Sequence, residues 1–216
     1  WQPGQPISLF ASGVVRTSCA LSSSEMPAHW LEKFPSAAEI VKRSVEMRAL
    51  QSQTPDDRLI RRRKCEFEIF KSVEEALEGP KVANGFGSLD DFLTLAQTVL
   101  QRRKSRSGRS LELQTREIFL EEGLVENHQF SHGATSEGDK KPDFLFPSAQ
   151  AYADDNFPPD RLRMLAAKTT ARDRWRQVLN EADRVTTKHL LTLQDMAPAS
   201  SLGSSLTLPS LPRTLG

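Results

Sequence analysis

Three residues in the second half of the chain are of the types that phosphodiester chemistry needs. Pro142-Asp143 stands at the mouth of a short apolar run, Lys168 at the end of a second, and Glu181 farther on in a segment of helical spacing. Two carboxylates bracketing a lysine offer hard oxygen ligands to Mg²⁺ and an ammonium to serve the attacking water, so the chemistry implied is metal-assisted hydrolysis. Spacing alone leaves a second account open, in which Asp143 caps a loop, Lys168 is a solvated strand end and Glu181 flanks an apolar stripe.

Arg172-Asp173-Arg174 opens the segment that contains Glu181. At about 100° per residue Arg174 falls on the same flank as Glu181. A guanidinium there suits guanine O6 and N7, and a carboxylate suits cytosine N4; the alternative is a self-compensating surface ion cluster.

Helices and a few strands must hold these groups. Ser36 caps a helix carrying Ile40, Val41, Ser44 and Val45. A second helix is expected between Pro55 and Gly79, with Leu59, Ile60, Phe67, Phe70, Val73 and Leu77 on one side and Arg58, Arg61, Arg62, Arg63 and Lys64 in its first turns. Ser88, with Asp91 behind it, caps a third, which runs into the basic cluster Gln101–Arg109. Ser110 to Gly123 reads as a further helix stopped at its glycine. Phe144–Phe146, ended by Pro147, and Leu162–Ala167 read as strands. Trp175, Val178, Leu179, Ala182 and Val185 make Arg172–Leu191 a long amphipathic helix. The sum is an α/β (α+β) domain.

The 216 residues suit one domain, 35–194, after a loose leader, 1–34, in which Trp1–His29 has no helical or strand period. Asp195 to Gly216 keeps only Asp195 and Arg213 as charges and reads as a low-complexity tail without a packed element. A net charge of +1 means that nucleic-acid contact must come from clustering of charge, not its total. Cys19 and Cys65 argue against a disulfide framework and a thiolate metal site, and fit a reducing compartment. No run approaches the roughly 18 apolar residues of a membrane span, and Ile7–Val15 has no basic region before it, so the expected location is the cytoplasm with no membrane partner.

Five ordered blocks extend this reading. They are Arg102-Arg103-Lys104-Ser105-Arg106 with Gly108-Arg109-Ser110-Leu111-Glu112; Lys141-Pro142-Asp143-Phe144-Leu145-Phe146-Pro147; Lys168-Thr169-Thr170; Arg172-Asp173-Arg174-Trp175-Arg176-Gln177; and Lys188-His189-Leu190-Leu191-Thr192-Leu193-Gln194. With Arg58-Leu59-Ile60 and Gly85-Phe86 upstream, the stretch from about Phe34 to Gln194 resembles the catalytic domain of EcoRII-type restriction endonucleases, within the PD-(D/E)xK nuclease superfamily. The resemblance implies a restriction-endonuclease-like core, a central mixed β-sheet flanked by helices. It also implies the variant in which the second carboxylate has migrated from before the lysine, where Ala166 stands, to Glu181 on the next element.

On that resemblance Asp143, Glu181 and Glu112 would ligate Mg²⁺, Lys168 would serve the attacking water, and Tyr152 falls where the family has an active-site tyrosine. Arg172, Asp173 and Arg174 would read C:G pairs of a CCNGG or CCWGG-like site in double-stranded DNA. Arg102, Arg103, Lys104, Arg106 and Arg109, with the block around Arg61, would neutralise phosphates. A symmetric site asks for two identical readers, hence a homodimer, and a cytosine methyltransferase is the expected genetic rather than physical partner. His189 reads as a packed residue rather than a base. Trp1 in place of Met and the abrupt tail read as a partial or frameshifted gene that lacks the closing strand. The alternative function is therefore an inactive DNA-binding remnant.

Overall fold

The computed structural model describes residues 18–49, 54–138, 140–169 and 178–193, together with the backbone of strand 205–209. Arg172, Asp173 and Arg174 lie outside the described residues.

Capping fixes where the helices start. Ser36 accepts from the Glu39 N–H at 3.3 Å and opens α2 (Ala37–Met47), after a short α1 (Ala28–Glu32). Thr54 caps α3 (Pro55–Ala83), whose first residue is the proline that suits a helix start. Ser88 caps α4 (Leu89–Glu121) through Asp91 N–H, as its sequence signature predicts. At the other end Gly123, at φ +85°, closes α4: its N–H donates to Leu120 and that of Leu124 to Phe119, which satisfies carbonyls the helix leaves open.

The sequence divides α4 between Arg109 and Ser110, just past Gly108; the structure does not. A glycine inside a helix costs about 1 kcal/mol against alanine. Beyond it, Leu111, Gln114, Thr115 and Ile118 are buried, and buried Ser110 donates to Glu66 of α3 at 2.9 Å. That burial outweighs the local penalty, and α4 runs unbroken for 33 residues, about 50 Å.

Residues 18–34 are not a loose leader. Cys19, Leu21, Met26 and Trp30 are buried with Ile40, Cys65, Ile69, Phe70 and Val73, so this segment packs against α2 and α3. Cys19 and Cys65, 46 positions apart, are joined by a disulfide, contrary to the expectation from their number and spacing. Sequence separation carries no information about partners that only the packing of a strap against α3 brings together.

The sheet runs in the order β1 (Ser131–His132), β2 (Phe144–Phe146), β3 (Arg163–Ala167), β4 (Thr187–Leu191) and β5 (Ser205–Pro209). Only β3 and β4 pair parallel, so the sheet is mixed. Strand alternation sorts its two faces. Phe144, Leu165, Ala167 and Leu191 turn toward Leu59, Leu111, Ile118 and Phe130, under α4. Leu145, Met164, Ala166 and Leu190 turn toward Tyr152 of α5 (Ala149–Ala153) and toward Val178, Ala182 and Val185.

Two expectations change here. Thr187–Leu191 is strand, not the end of a long helix: Val178, Ala182 and Val185 do share one buried face, but through turns, with Ala182 at φ +50° reversing the chain. Ser205–Pro209, inside the segment read as a tail that lacks a closing strand, is β5 and pairs antiparallel with β4.

Candidate active site

Strand register brings the first two groups together. Asp143 immediately precedes β2 and Lys168 immediately follows β3, and these strands are antiparallel neighbours, so the start of one meets the end of the other. Asp143 Oδ2 accepts from Ala167 N–H at 2.7 Å and from Lys168 Nζ at 2.8 Å. Gly133 N–H donates to the Asp143 carbonyl, and Lys168 N–H to that of Leu191, both at 2.9 Å. The carboxylate is thus oriented by main chain on β3, and both side chains are largely shielded, at 12% and 15% exposure.

Glu181 lies in the turn after the helical end of 178–179 and is 8% exposed. Burial pushes its carboxyl above the usual range; the Lys168 ammonium opposes that shift and the Asp143 carboxylate adds to it. Glu181 Oε2 is buried and has no hydrogen-bond partner among the described residues. An orphaned buried carboxylate oxygen is costly unless a cation satisfies it.

Among the described residues no three His, Cys, Asp or Glu side chains form a cluster that could hold a metal ion. Asp143 and Glu181 nevertheless suit Mg²⁺, which is commonly held by one or two carboxylates and completes its shell with water and phosphate oxygens. Glu112 is bonded to other side chains. Its Oε1 accepts from Arg109 at 2.5 Å and lies 2.6 Å from His132 Nε2. Burial raises its pKa, but the bonds to His132 and Arg109 outweigh that and hold it below the ordinary carboxylate range. His132, whose ring stacks on Phe144 at 5.2 Å, was not among the sequence-derived candidates. Its only sequence signal is a place at the start of a polar loop.

Tyr152 is buried in α5, with its hydroxyl donating to Glu137 and accepting from Arg184 N–H at 3.4 Å. The Arg184 guanidinium donates to the Tyr152 carbonyl. The tyrosine is thereby bonded to the chain that follows Glu181, and these bonds do not run to Asp143 or Lys168.

Arg102, Arg103 and Arg106 of the α4 basic cluster pair with carboxylates of α3. Arg102 pairs with Glu78 at 2.8 Å, Arg103 forks onto Glu74 at 2.5–3.2 Å, and Arg106 pairs with fully buried Glu66 at 2.6 Å. Arg102 also lies 4.2 Å over the Phe34 ring and Arg106 4.9 Å over that of Phe70. In the first turns of α3, Arg58 and Arg62 are buried against Glu121, while Arg61 and Lys64 and, on α4, Arg103, Lys104 and Arg109 are exposed.

Comparison with known proteins places this geometry in context. A family model described as "EcoRII C terminal" matches residues 70–203, more than half of the chain. The chain is 49% identical over 170 residues to the type II restriction enzyme EcoRII of Escherichia coli; the match covers 79% of this chain but only 41% of that protein. Two solved structures share the fold: metal-depleted Ecl18kI in complex with uncleaved, modified DNA, with a TM-score of 0.60 and 19% identity over 75% of this chain and 63% of that one, and metal-depleted Ecl18kI in complex with uncleaved DNA, with a TM-score of 0.60 and 20% identity over 77% and 64%.

Proposed function

The chain belongs to the EcoRII C-terminal family, and from that premise we propose that it is a type II restriction endonuclease that hydrolyses phosphodiester bonds of double-stranded DNA. The observation that carries this reading is the meeting of Asp143 and Lys168 where β2 starts and β3 ends, with the buried Glu181 carboxylate electrostatically coupled to both.

Asp143 and Glu181 would hold Mg²⁺, which when bound supplies Lewis-acid stabilisation of the phosphate and a more acidic water. Asp143 is aimed by Ala167 N–H and Lys168. Lys168 orients the water and offsets charge as the phosphate oxygens crowd. Glu112 acts from outside this pair, as the acceptor that holds His132 beside β2.

Site recognition at a CCNGG or CCWGG-like sequence is assigned to Arg172, Asp173 and Arg174 by base-edge contact. Phosphate contact is assigned to the block Arg102, Arg103, Lys104, Arg106 and Arg109, led by exposed Lys104, since the arginines must share their charge with glutamates. A homodimer, cytoplasmic location and a companion cytosine methyltransferase gene complete the reading. The DNA complexes of the structural neighbours support the substrate class.

The test is digestion of plasmid DNA with and without Mg²⁺, followed by sequencing of the ends. Ends at one repeated sequence, dependent on the metal, are expected. Random ends would sink site specificity, and binding without cutting would leave a DNA-binding remnant.

A further inference from the structure

A lysine buried in a sheet must find acceptors or lose its charge. Lys188, on β4, is 4% exposed and sits on the strand face that Leu190 shares, directed at the segment before it in the chain. There its Nζ donates to two main-chain carbonyls, that of Leu179 at 2.6 Å and that of Glu181 itself.

Those two carbonyls are what a helix end leaves unsatisfied. The chain turns at Glu181, whose N–H still reaches Val178 O at 3.2 Å, and then reverses at Ala182 with φ +50°. For a residue with a Cβ that region is unfavourable. The turn persists because bonds on both sides over-determine it. Lys188 ties the carbonyls at 179 and 181, and Glu137 accepts from Asp183 N–H at 3.1 Å on the far side.

We propose that Lys188 is a positioning residue for the metal site: by bonding the Leu179 and Glu181 carbonyls it fixes the turn that carries the Glu181 carboxylate, whose Oε2 is buried. Lys188 has this role only if Glu181 is a metal ligand, as proposed above. It does not touch the reacting atoms. A conservative arginine retains donors for the carbonyls, whereas methionine keeps length and apolar stem but offers none.

The experiment measures Mn²⁺ binding to the full chain by electron paramagnetic resonance, beside single-turnover cleavage as a function of Mg²⁺ concentration. Variants are K188M, K188Q, K188R, E181A and E181A/K188M. K188M is expected to weaken Mn²⁺ binding about tenfold and to raise the Mg²⁺ concentration for half-maximal cleavage by the same factor. K188R should recover most of the loss, and metal-free duplex binding should not change. Because Lys188 acts through Glu181, adding K188M to E181A should weaken binding no further.

Unchanged Mn²⁺ affinity in folded K188M or K188Q overturns the proposal, as does an additive double mutant. If neither neutral variant folds, Lys188 supports the fold and not the site, and the proposal is equally lost. Unaltered Mn²⁺ binding in E181A marks a different failure, that of Glu181 as a ligand.

Discussion

Lys168 Nζ and Asp143 Oδ2 are 2.8 Å apart across the antiparallel β2–β3 junction, and the same oxygen accepts from Ala167 N–H. One carboxylate oxygen is therefore fixed by the sheet while the lysine shields it. Asp143→Ala, Lys168→Ala and Glu181→Ala are each expected to lower single-turnover cleavage in Mg²⁺ by roughly 10²–10⁴-fold, the scale of removing one group that stabilises charge or moves a proton. Duplex affinity without metal should stay near wild type. A variant that cuts at wild-type rate removes that residue from the site.

Base reading and phosphate contact separate by energy. Arg174→Ala should cost about 1–3 kcal/mol on the cognate duplex alone. Lys104→Ala should weaken cognate and random duplexes alike and lower the salt slope by about one unit. Fluorescence anisotropy at several salt concentrations distinguishes them; equal losses on both duplexes for Arg174→Ala would make it a phosphate clamp.

Arg106→Ala belongs to a third class. It strands Glu66, which is fully buried and whose Oε2 accepts from Arg106 and Ser110. Breaking one side of a buried pair costs about 3–5 kcal/mol. Chemical denaturation should register that loss, and Arg106→Ala with Glu66→Gln should recover part of it. Unchanged stability in the single mutant would refute the pairing.

Acid should open the α3–α4 seam. Burial raises the carboxyl pKa of Glu74 and Glu78, but bonds to Arg103 and Lys71, and to Lys81 and Arg102, outweigh it and hold both below the ordinary range. A depressed folded pKa gives stability that is present above the unfolded value and is lost as pH falls through the folded one. Melting temperature should therefore fall between about pH 5 and 3, with a shallower fall in E74Q/E78Q. An equal slope in that double variant would assign acid lability elsewhere.

Reduction of Cys19–Cys65 should lower stability by about 2–4 kcal/mol, the usual scale for a disulfide closing a loop of this kind. Thermal melts with and without a reductant, and of C19S/C65S, measure it. Identical melts would show that packing of Leu21, Met26 and Trp30 alone holds the segment.

Local signals made much of this legible. Ser36 and Ser88 act through bonds within three residues, and Gly123 through its own φ, so caps and stops could be read directly. Asp143 and Lys168 could be placed because Phe144–Phe146 and the run ending at Ala167 are short apolar strands whose ends frame them. Long-range partners were not legible. Arg102, Arg103 and Arg106 look like a solvated basic face until Glu78, Glu74 and Glu66, 24 to 40 positions earlier, are folded against them. Lys188 misleads for the same reason: a lysine in a Thr-Lys-His-Leu-Leu run suggests a helix flank, whereas β4 buries it on carbonyls that only the preceding turn exposes.

The ion pairs along α3 and α4 also shape what a polyanion meets from a distance. A guanidinium closed on a carboxylate is a dipole, and its potential fades faster than that of a lone cation, within a screening length of about 8 Å at physiological salt. Arg102, Arg103, Arg106 and Arg109 are each closed in this way. Glu74 and Glu78 each take two cations, Arg103 with Lys71 and Arg102 with Lys81, so those groups keep a net positive charge, whereas Arg106 and Glu66 pair one to one. Pairing along the seam thus thins the positive charge that a polyanion meets there without abolishing it, and leaves the strongest local charge at the exposed ends of Arg61, Lys64 and Lys104.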